Sequence, residues 1–199
     1  SDMFVSNDFF EKDYLYINNH DGTFTESLEN MIREISLGSM GADFADINND
    51  GLPELFVTEM LPEHDDRLKT TSQFESWDKY KIASEQGYYH QFSRNALQLN
   101  NGDGTFSEIS RLARTEATDW SWGALFFDAD NDGLNDIYVC NGINHDVTNL
   151  DFMDFFANDV IQQMVVSGRK ENVDSVLMHI PINLVPNKAF RNKGNLQFE

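Results

Sequence analysis

Short apolar runs alternate with polar clusters along this chain of 199 residues. Four of the runs are rich in β-branched, leucine and aromatic residues, a composition that favours short strands. The four runs are Leu15-Tyr16-Ile17, Leu55-Phe56-Val57, Leu97-Gln98-Leu99 and Ile137-Tyr138-Val139. A turn of the form Asn-Asn-x-Asp-Gly-Thr-Phe occurs at 18–24 and at 100–106, with a degraded copy at 192–198. Because Asp-Gly supplies the positive φ of a tight hairpin, the pattern predicts a series of antiparallel hairpins.

A second segment also recurs, as Asp-Ile-Asn-Asn-Asp-Gly-Leu-Pro-Glu at 46–54 and Asp-Ala-Asp-Asn-Asp-Gly-Leu-Asn-Asp at 128–136. Both copies place oxygen side chains at loop positions 1, 3, 5 and 9 and glycine at position 6. This set suits a hard cation with about six to eight oxygen ligands, and Ca²⁺ fits it better than Zn²⁺. We predict two Ca²⁺ loops in which position 7 contributes its backbone carbonyl. The predicted ligands are Asp46, Asn48, Asp50, Leu52 and Glu54 in the first loop and Asp128, Asp130, Asp132, Leu134 and Asp136 in the second.

The same loops have other interpretations. An EF-hand requires a bidentate glutamate at position 12 between two helices, whereas position 12 is Val57 in the first loop and Val139 in the second. A plain acidic turn between strands, without any metal, stays open. A bound ion can also be purely structural, because it relieves the repulsion among crowded carboxylates.

The spacing of the motifs indicates one repeating unit. The hairpin asparagines Asn18 and Asn100 each precede the first residue of an acidic loop by 28 residues. The copies differ in length only between the position 9 acid of a loop and the next hairpin, where the longer copies have insertions. Without insertions the unit has 52 residues, from Asp2 to the matching Glu54, which is the size of a propeller blade. Asp2 matches only the last ligand of a loop, so no metal is assigned to it.

We predict that residues 1–199 form one fragment of a larger β-propeller. The predicted blade repeats are about 2–45, 46–127 with an insert at 61–94, and 128–199 with an insert at 143–187. About two and a half repeats cannot close a ring, which needs at least about four blades. The chain ends look cut from a larger protein, and the cut first and last blades are expected to favour pairing with another copy.

Both inserts are predicted to contain helices. In the first insert, Ser72-Gln73-Phe74-Glu75 resembles a capping box, and Trp77 follows at helical spacing. In the second, Thr148 or Asn149 caps a helix that ends before Gly168, and a further short helix is predicted at about 172–179. The aromatic cluster at 88–92 offers surfaces for carbohydrate stacking, but packing against an insert helix explains it better.

Composition excludes several classes of protein. With 40% apolar and 13% aromatic residues the chain is globular. No apolar run approaches the roughly 20 residues of a membrane-spanning helix. The formal net charge of −20 argues against nucleic acid as a partner, because its phosphates would be repelled. Ser1-Asp2 is not a signal peptide, so any export signal is expected to have been removed or to lie outside this sequence.

Sequence motifs of known reactions are absent. The chain contains no HExxH helix, GxSxG elbow, phosphate-binding loop or CxxC pair. Cys140 is the single cysteine, and a buried, inert thiol explains it better than a nucleophile. We therefore expect a protein that is not an enzyme, although residues distant in sequence can assemble a catalytic site that no motif reveals.

Two segments carry a family resemblance. Gly-Ala-Asp-Phe-Ala-Asp-Ile-Asn-Asn-Asp-Gly at 41–51 and Gly-Ala-Leu-Phe-Phe-Asp-Ala-Asp-Asn-Asp-Gly at 123–133 resemble FG-GAP or VCBS repeats, as in the integrin α-subunit β-propeller. The hairpin motif resembles bacterial proteins that couple such repeats to an ASPIC/UnbV segment, related to cartilage acidic protein. The stretches at 60–63, 87–92 and 118–122 look like a Bacteroidetes subgroup of these proteins.

The resemblance implies an all-β fold with helical insertions, a partial β-propeller of about two and a half antiparallel, four-stranded blades with Ca²⁺ in the DxDxDGxxD loops. Glu54 departs from the usual Asp at position 9. The resemblance also implies an exported or cell-surface bacterial protein. We expect a non-enzymatic, calcium-stabilised binding or adhesion module whose inserts recognise a protein or a glycan. The alternative is an accessory domain of a polysaccharide-active enzyme.

Overall fold

The computed structural model describes residues 1–8, 11–71, 76–167, 178 and 180–199. Its strands are β1 Met3–Val5, β2 Tyr14–Asn18, β3 Phe24–Glu26, β4 Ile35–Ser36, β5 Ala42–Ala45, β6 Glu54–Val57, β7 Gln91–Phe92, β8 Ala96–Asn100, β9 Phe106–Glu108, β10 Ser121–Phe127, β11 Asp136–Asn141 and β12 Lys188–Phe190. Its helices are α1 Leu28–Met31, α2 Asp65–Thr70, α3 Trp77–Glu85, α4 Ser110–Ala113 and α5 Asn158–Ser167, with a π-helical turn at Phe152–Ala157.

The strands form three antiparallel sheets in chain order. The first sheet is β1-β2-β3, the second is β5-β6-β8-β9 and the third is β10-β11-β12. A short parallel pair, β4 with β7, links the regions that precede β5 and β8. The prediction of an antiparallel, mostly β fold with small helices is confirmed. Among the described residues one sheet has four strands and none closes on itself.

Strand β6 contributes to two apolar cores, because side chains alternate in direction along a strand. Leu55 and Val57 lie in the core between the first and second sheets, whereas Phe56 lies in the core between the second and third. All four residues of β6 are buried. Burial on both faces explains why this strand is a continuous apolar run rather than an alternating one.

The sequence repeats and the sheets are offset by one strand. The loop at 46–54 connects β5 to β6, and the loop at 128–136 connects β10 to β11. The repeat that starts at Asp46 therefore begins inside the second sheet and ends with β10, the first strand of the third sheet, and the repeat that starts at Asp128 begins inside the third sheet. The repeat boundaries predicted above are sequence units, and the sheets begin one strand earlier.

The first strands of the second and third sheets approach each other closely at Gly41. A Cβ atom added to Gly41 would lie 2.7 Å from the carbonyl oxygen of Trp122 and 2.8 Å from the amide nitrogen of Ala124. Two residues along, the Asp43 carboxylate accepts a hydrogen bond of 2.8 Å from the backbone amide of Phe126. Gly41 therefore permits a contact between β5 and β10 that any side chain would obstruct.

The described parts of both inserts contain helices in the regions where the sequence predicts them. Helix α3 is capped by Ser76, whose hydroxyl accepts from the amide of Lys79 at 3.3 Å. The predicted capping box at 72–75 lies outside the described residues. In the second insert, Asn149 accepts from the amide of Phe152 at 2.9 Å, and α5 is described over Asn158–Ser167. The predicted helix end before Gly168 lies at the limit of the described residues. Of the short helix predicted at 172–179, only 178 is described.

The apolar residues of the second insert differ in exposure. Phe152 is buried, whereas Val165 is 78% exposed. The described part of the chain contains no helix that is both long enough and apolar enough to span a membrane.

Candidate functional site

The first acidic loop is curled around its own carboxylates. Asp46 accepts hydrogen bonds from the amides of Asp50 at 3.1 Å and Gly51 at 2.8 Å. Asp50 accepts in turn from the amide of Leu52 at 2.8 Å. Gly51 has a φ of +88°, which a side chain rarely adopts. The turn at position 6 therefore depends on glycine, as the motif predicts.

The second loop repeats this arrangement. Asp128 accepts from the amides of Asp132 at 3.0 Å and Gly133 at 2.9 Å, and Asp132 accepts from Leu134 at 2.9 Å. Gly133 has a φ of +87°. Two sequence copies thus fold into the same local structure.

Three predicted ligands converge in the second loop. One ligand oxygen from each of Asp128, Asp130 and Asp136 lies within 4.8 Å of the other two. A set of three carboxylates at this spacing has the chemistry that a hard cation prefers. Within the described residues this is the one such group of three acidic, histidine or cysteine side chains.

The first loop differs in having an amide at position 3. The side-chain nitrogen of Asn48 donates to Asp50 at 2.9 Å, so these two predicted ligands contact each other. At Leu52 and Leu134 the structure shows the backbone amides bonded within the loops. Ligation through their carbonyl groups stays a prediction.

Glu54, the last predicted ligand of the first loop, has an unusual environment. The side chain is fully buried, and its Oε2 atom accepts from the amide of Ile47 at 2.9 Å. Its Oε1 atom is buried without a hydrogen-bond partner. Desolvation raises the pKa of Glu54, and the charges of Asp50 and Asp46 raise it further, against the opposing effect of the nearby amides of Ile47 and Asn100. A buried, unpaired carboxylate oxygen is the kind of group that a cation satisfies.

Asp136 is the last predicted ligand of the second loop, and both of its carboxylate oxygens accept hydrogen bonds. Oδ2 accepts from the amide of Ala129 at 3.0 Å, and Oδ1 accepts from the amide of Asn192 at 2.7 Å. Glu54 carries one more methylene at the same position, and its second oxygen lacks such a partner. Having Glu54 instead of aspartate at position 9 therefore leaves one buried carboxylate oxygen without a hydrogen bond.

Arg191 lies against the second loop, a position that sequence reasoning did not predict. Its guanidinium lies 2.6 Å from Asp130 and 3.5 Å from Asp132, two predicted metal ligands of the second loop. The available signal is the comparison of repeats, since the residue before the hairpin asparagine is Arg191 in one copy and Leu99 in the other. The second loop thus has a positive charge of its own.

The two loops also contact each other across the sheet boundary. Asn135 donates to the carbonyl of Asp46 at 2.9 Å, and Asn49 donates to the carbonyl of Gly133 at 3.0 Å. These residues occupy positions 8 and 4 of their loops, where the motif assigns no ligand. Their side chains instead hold one loop against the other.

The inserts leave the opposite ends of β6 and β11 and meet each other there. Arg67 of the first insert bonds to Asp119 with an Nε–Oδ2 distance of 3.1 Å and pairs with Asp146 of the second insert. The Asp146 side chain is only 2% exposed. Thr71 and Asn149 form a β-bridge between the same two segments. We call this joined region the insert face.

A row of aromatic side chains lies in the same first insert, on α3 and β7. Tyr80 stacks on Trp77 at a centroid distance of 5.7 Å and on Phe92 at 5.5 Å, and its hydroxyl lies 2.7 Å from Nδ1 of His90. Trp77 is 74% exposed. An open groove of about 530 Å³ lies beside Phe92, where Arg94 covers the ring at 4.9 Å.

The sheets and loops together define a class of protein. Three antiparallel sheets follow one another along the chain, and two of them carry the same acidic loop between their first and second strands. Each sheet packs against its neighbours through a separate apolar core. This is the organisation of a tandem repeat protein.

A family model described as FG-GAP-like repeat matches residues 1–57 and 82–139. The match covers more than half of the chain, which therefore belongs to the FG-GAP-like repeat family. Each matched segment contains one acidic loop and ends in the strand that follows it. None of the curated proteins matches the sequence. FG-GAP repeats are typical of extracellular or exported, β-propeller-like binding modules and often bind Ca²⁺.

Proposed function

We propose that this protein is a calcium-stabilised, non-enzymatic binding module of β-propeller type, exported or displayed at a bacterial cell surface. The buried, unpaired Oε1 atom of Glu54 is the observation that carries the calcium part of the proposal. The three converging carboxylates of the second loop support it independently.

The donor sets of both loops fit Ca²⁺. In the first loop Asp46, Asn48, Asp50 and Glu54 would hold the ion, and in the second Asp128, Asp130, Asp132 and Asp136 would do so, with the Leu52 and Leu134 carbonyls at position 7. The ion supplies the positive charge that the first loop lacks. The chain's own residues fix the loop backbone and keep the connection between the first two strands of each sheet in place.

Thermal unfolding with Ca²⁺ and with a chelator tests the calcium proposal. We expect a higher midpoint with Ca²⁺, because each site that binds only the folded state adds about 4 kcal/mol when free Ca²⁺ is about 1,000 times its Kd. The matched control is the variant with Asp46, Asp50, Asp128 and Asp132 replaced by asparagine, which keeps oxygen at each position. An unchanged midpoint in the unaltered protein would sink the proposal.

The insert face is the proposed ligand-binding surface. The Arg67 pair with Asp146 and the Thr71 bridge to Asn149 join the two inserts, so a ligand would meet one composite surface. The exposed Trp77 ring, stacked on Tyr80, supports a glycan as one of the two ligand classes, because sugar rings pack on aromatic faces. A protein ligand would use the same rigid row.

Binding to a glycan array and to surface proteins, followed by turnover assays on bound polysaccharides, tests this surface. Trp77→Ala should weaken binding at least about tenfold, as expected for an aromatic anchor. Phe24→Ala removes an exposed aromatic residue outside both inserts and should leave binding intact. Binding without product release supports the non-enzymatic module. Product release would instead favour the alternative, an accessory domain of a polysaccharide-active enzyme.

A further inference from the structure

The first and third hairpins each begin with an asparagine that is bonded to a closing acid, the acid at position 9 of the loop motif. The backbone amide of Asn18 donates to Asp2 at 2.9 Å, and that of Asn192 donates to Asp136 at 2.7 Å. The first and third hairpin asparagines therefore contact a closing acid directly, although 16 residues separate Asn18 from Asp2 and 56 residues separate Asn192 from Asp136.

The asparagine side chains repeat a second set of bonds. Each side-chain nitrogen donates to the carbonyl of the residue before the closing acid, and each side-chain oxygen accepts from the amide two residues later. The carbonyl acceptors are those of Ser1 at 3.2 Å, Pro53 at 3.4 Å and Asn135 at 3.0 Å, and the amide donors are His20 at 2.8 Å, Gly102 at 3.1 Å and Gly194 at 2.9 Å. Asn18, Asn100 and Asn192 thus have the same local role.

Asn192 makes one further bond, which reaches the other loop. Its side-chain nitrogen donates to the carbonyl of Ile47 at 2.8 Å, and Asn192 is only 2% exposed. The amide of Ile47 is the one that donates to Glu54. A buried series of hydrogen bonds therefore runs from Glu54 through Ile47 and Asn192 to Asp136, and joins the closing acids of the two loops.

We propose that Asn192 is a positioning residue that couples the two calcium loops, so that Ca²⁺ in either loop raises the affinity of the other. An ion in the first loop fixes Glu54 and with it the Ile47 peptide. The ordered Ile47 carbonyl holds the Asn192 side chain, whose backbone amide orients Asp136. The second loop then loses less conformational entropy when it binds Ca²⁺, so its affinity rises. By thermodynamic linkage, an ion in the second loop raises the affinity of the first loop by the same factor.

This inference rests on the proposed calcium function, and calorimetric titration with Ca²⁺ separates the two. The first-loop variant Asp46→Asn with Asp50→Asn removes two ligand charges and keeps one oxygen acceptor at each position. With Asn192 present, we expect this variant to weaken Ca²⁺ binding by the second loop about fivefold. With Asn192→Ala in the background, the same first-loop change should leave the second loop unaffected.

Asn100→Ala is the matched control. Asn100 has the same hairpin position and the same local bonds, but among the described contacts its side chain reaches no second loop. It should therefore preserve the fivefold coupling. A role limited to hairpin stability would give both asparagine variants the same result, which contradicts the proposal.

Other outcomes are equally decisive. Equal second-loop affinity in the unaltered protein and in the first-loop variant would overturn the coupling while leaving calcium binding intact. An absence of any Ca²⁺ heat would overturn the proposed function as well. If Asn192→Ala does not fold, Asn192→Asp retains the acceptor for the Gly194 amide and loses the donor to Ile47. Retained coupling in that variant would overturn the role of Asn192.

Discussion

The first and second acidic loops have the same motif and the same backbone hydrogen bonds, but their negative charge is balanced differently. The first loop has a buried glutamate oxygen without a partner and has Leu99 where the second has Arg191. The second loop has a fully bonded Asp136 and a guanidinium on Asp130. Two copies of one acidic motif therefore differ in how their carboxylates are satisfied, and the proposed calcium ion should matter more to the first.

The larger part of this difference comes from Glu54. A buried polar atom without a hydrogen bond destabilises the folded state by about 1–3 kcal/mol. Arg191 is 52% exposed, and ion pairs of such exposure contribute about 0.2–1 kcal/mol. Without metal, the first loop should therefore be the less stable of the two, and it should gain more from Ca²⁺.

Removal of the Glu54 carboxylate should have the largest effect. Glu54→Ala removes the closing ligand, so the protein should lose the first loop's share of calcium stabilisation, about 4 kcal/mol when free Ca²⁺ is about 1,000 times the Kd. Denaturant unfolding with and without Ca²⁺ measures this share. Asp2→Ala is the matched control, because Asp2 has the same place in the repeat and no assigned metal. A calcium gain that is unchanged in Glu54→Ala would contradict the predicted first site.

A buried acid outside both loops provides a second comparison. Asp13 is 1% exposed and accepts from the Asn7 amide and the Ser39 hydroxyl, both at 2.8 Å. Burial raises the pKa of Asp13 from 3.8 to about 7, despite these two hydrogen bonds. Below pH 3.8 the carboxyl group is protonated in both states and its full contribution to stability is present. As the pH rises the unfolded state ionises first, so stability falls until the pH passes about 7.

Asp13→Asn should remove this decline and raise the free energy of unfolding above pH 7 by on the order of 3 kcal/mol. Chemical denaturation between pH 4 and 8 measures it. Because the described contacts of Asp13 involve neither loop, saturating Ca²⁺ should leave the decline in place. A decline that Ca²⁺ abolishes would show that the loops, and not Asp13, control the pH dependence.

Local chemistry accounts for what the sequence predicts well. The Asp-Gly hairpins and the turns at Gly51 and Gly133 depend on residues close together in the chain, and each is found where the pattern indicates. The positions of Arg191 against Asp130 and of Arg67 against Asp146 depend on how separate segments pack. No periodicity encodes such contacts, so the comparison of equivalent repeat positions is the one signal that points to Arg191.

The hairpin asparagines have a structural role that the repeat spacing does not reveal. Asn18 bonds to Asp2 and Asn192 bonds to Asp136, across separations of 16 and 56 residues. The additional bond from Asn192 to Ile47 requires the neighbouring sheet to be in place. A one-dimensional repeat does not specify that neighbour.

Neutral substitutions of Glu54 and Asp136 should change the stability of the folded protein in opposite directions when calcium is chelated. Glu54→Gln keeps an oxygen for the Ile47 amide and removes a buried charge, so it should stabilise the chelated protein by about 1 kcal/mol. Asp136→Asn places an amide nitrogen against the donor of Ala129 or Asn192, so it should destabilise by about 1–2 kcal/mol. Thermal unfolding in chelator gives both signs. The same sign for both variants would contradict the difference in pairing.

Substitutions of Arg191 and Leu99, the residues before the hairpin asparagines, should have the smallest effect, a change in Ca²⁺ affinity. Arg191→Gln removes the positive charge that competes with Ca²⁺ for Asp130 and Asp132, so the second loop should bind Ca²⁺ about threefold more tightly, a gain of about 0.6 kcal/mol. Leu99→Arg should weaken the first loop by a similar factor, provided that its guanidinium reaches Asp50. Calorimetric titration at low ionic strength measures both changes, which salt should reduce because the pair is half exposed. Lys193→Gln removes the nearby pair with Glu199 and should alter neither affinity. A second loop that binds Ca²⁺ less tightly in Arg191→Gln would mean that the guanidinium organises the ligands instead of competing for them.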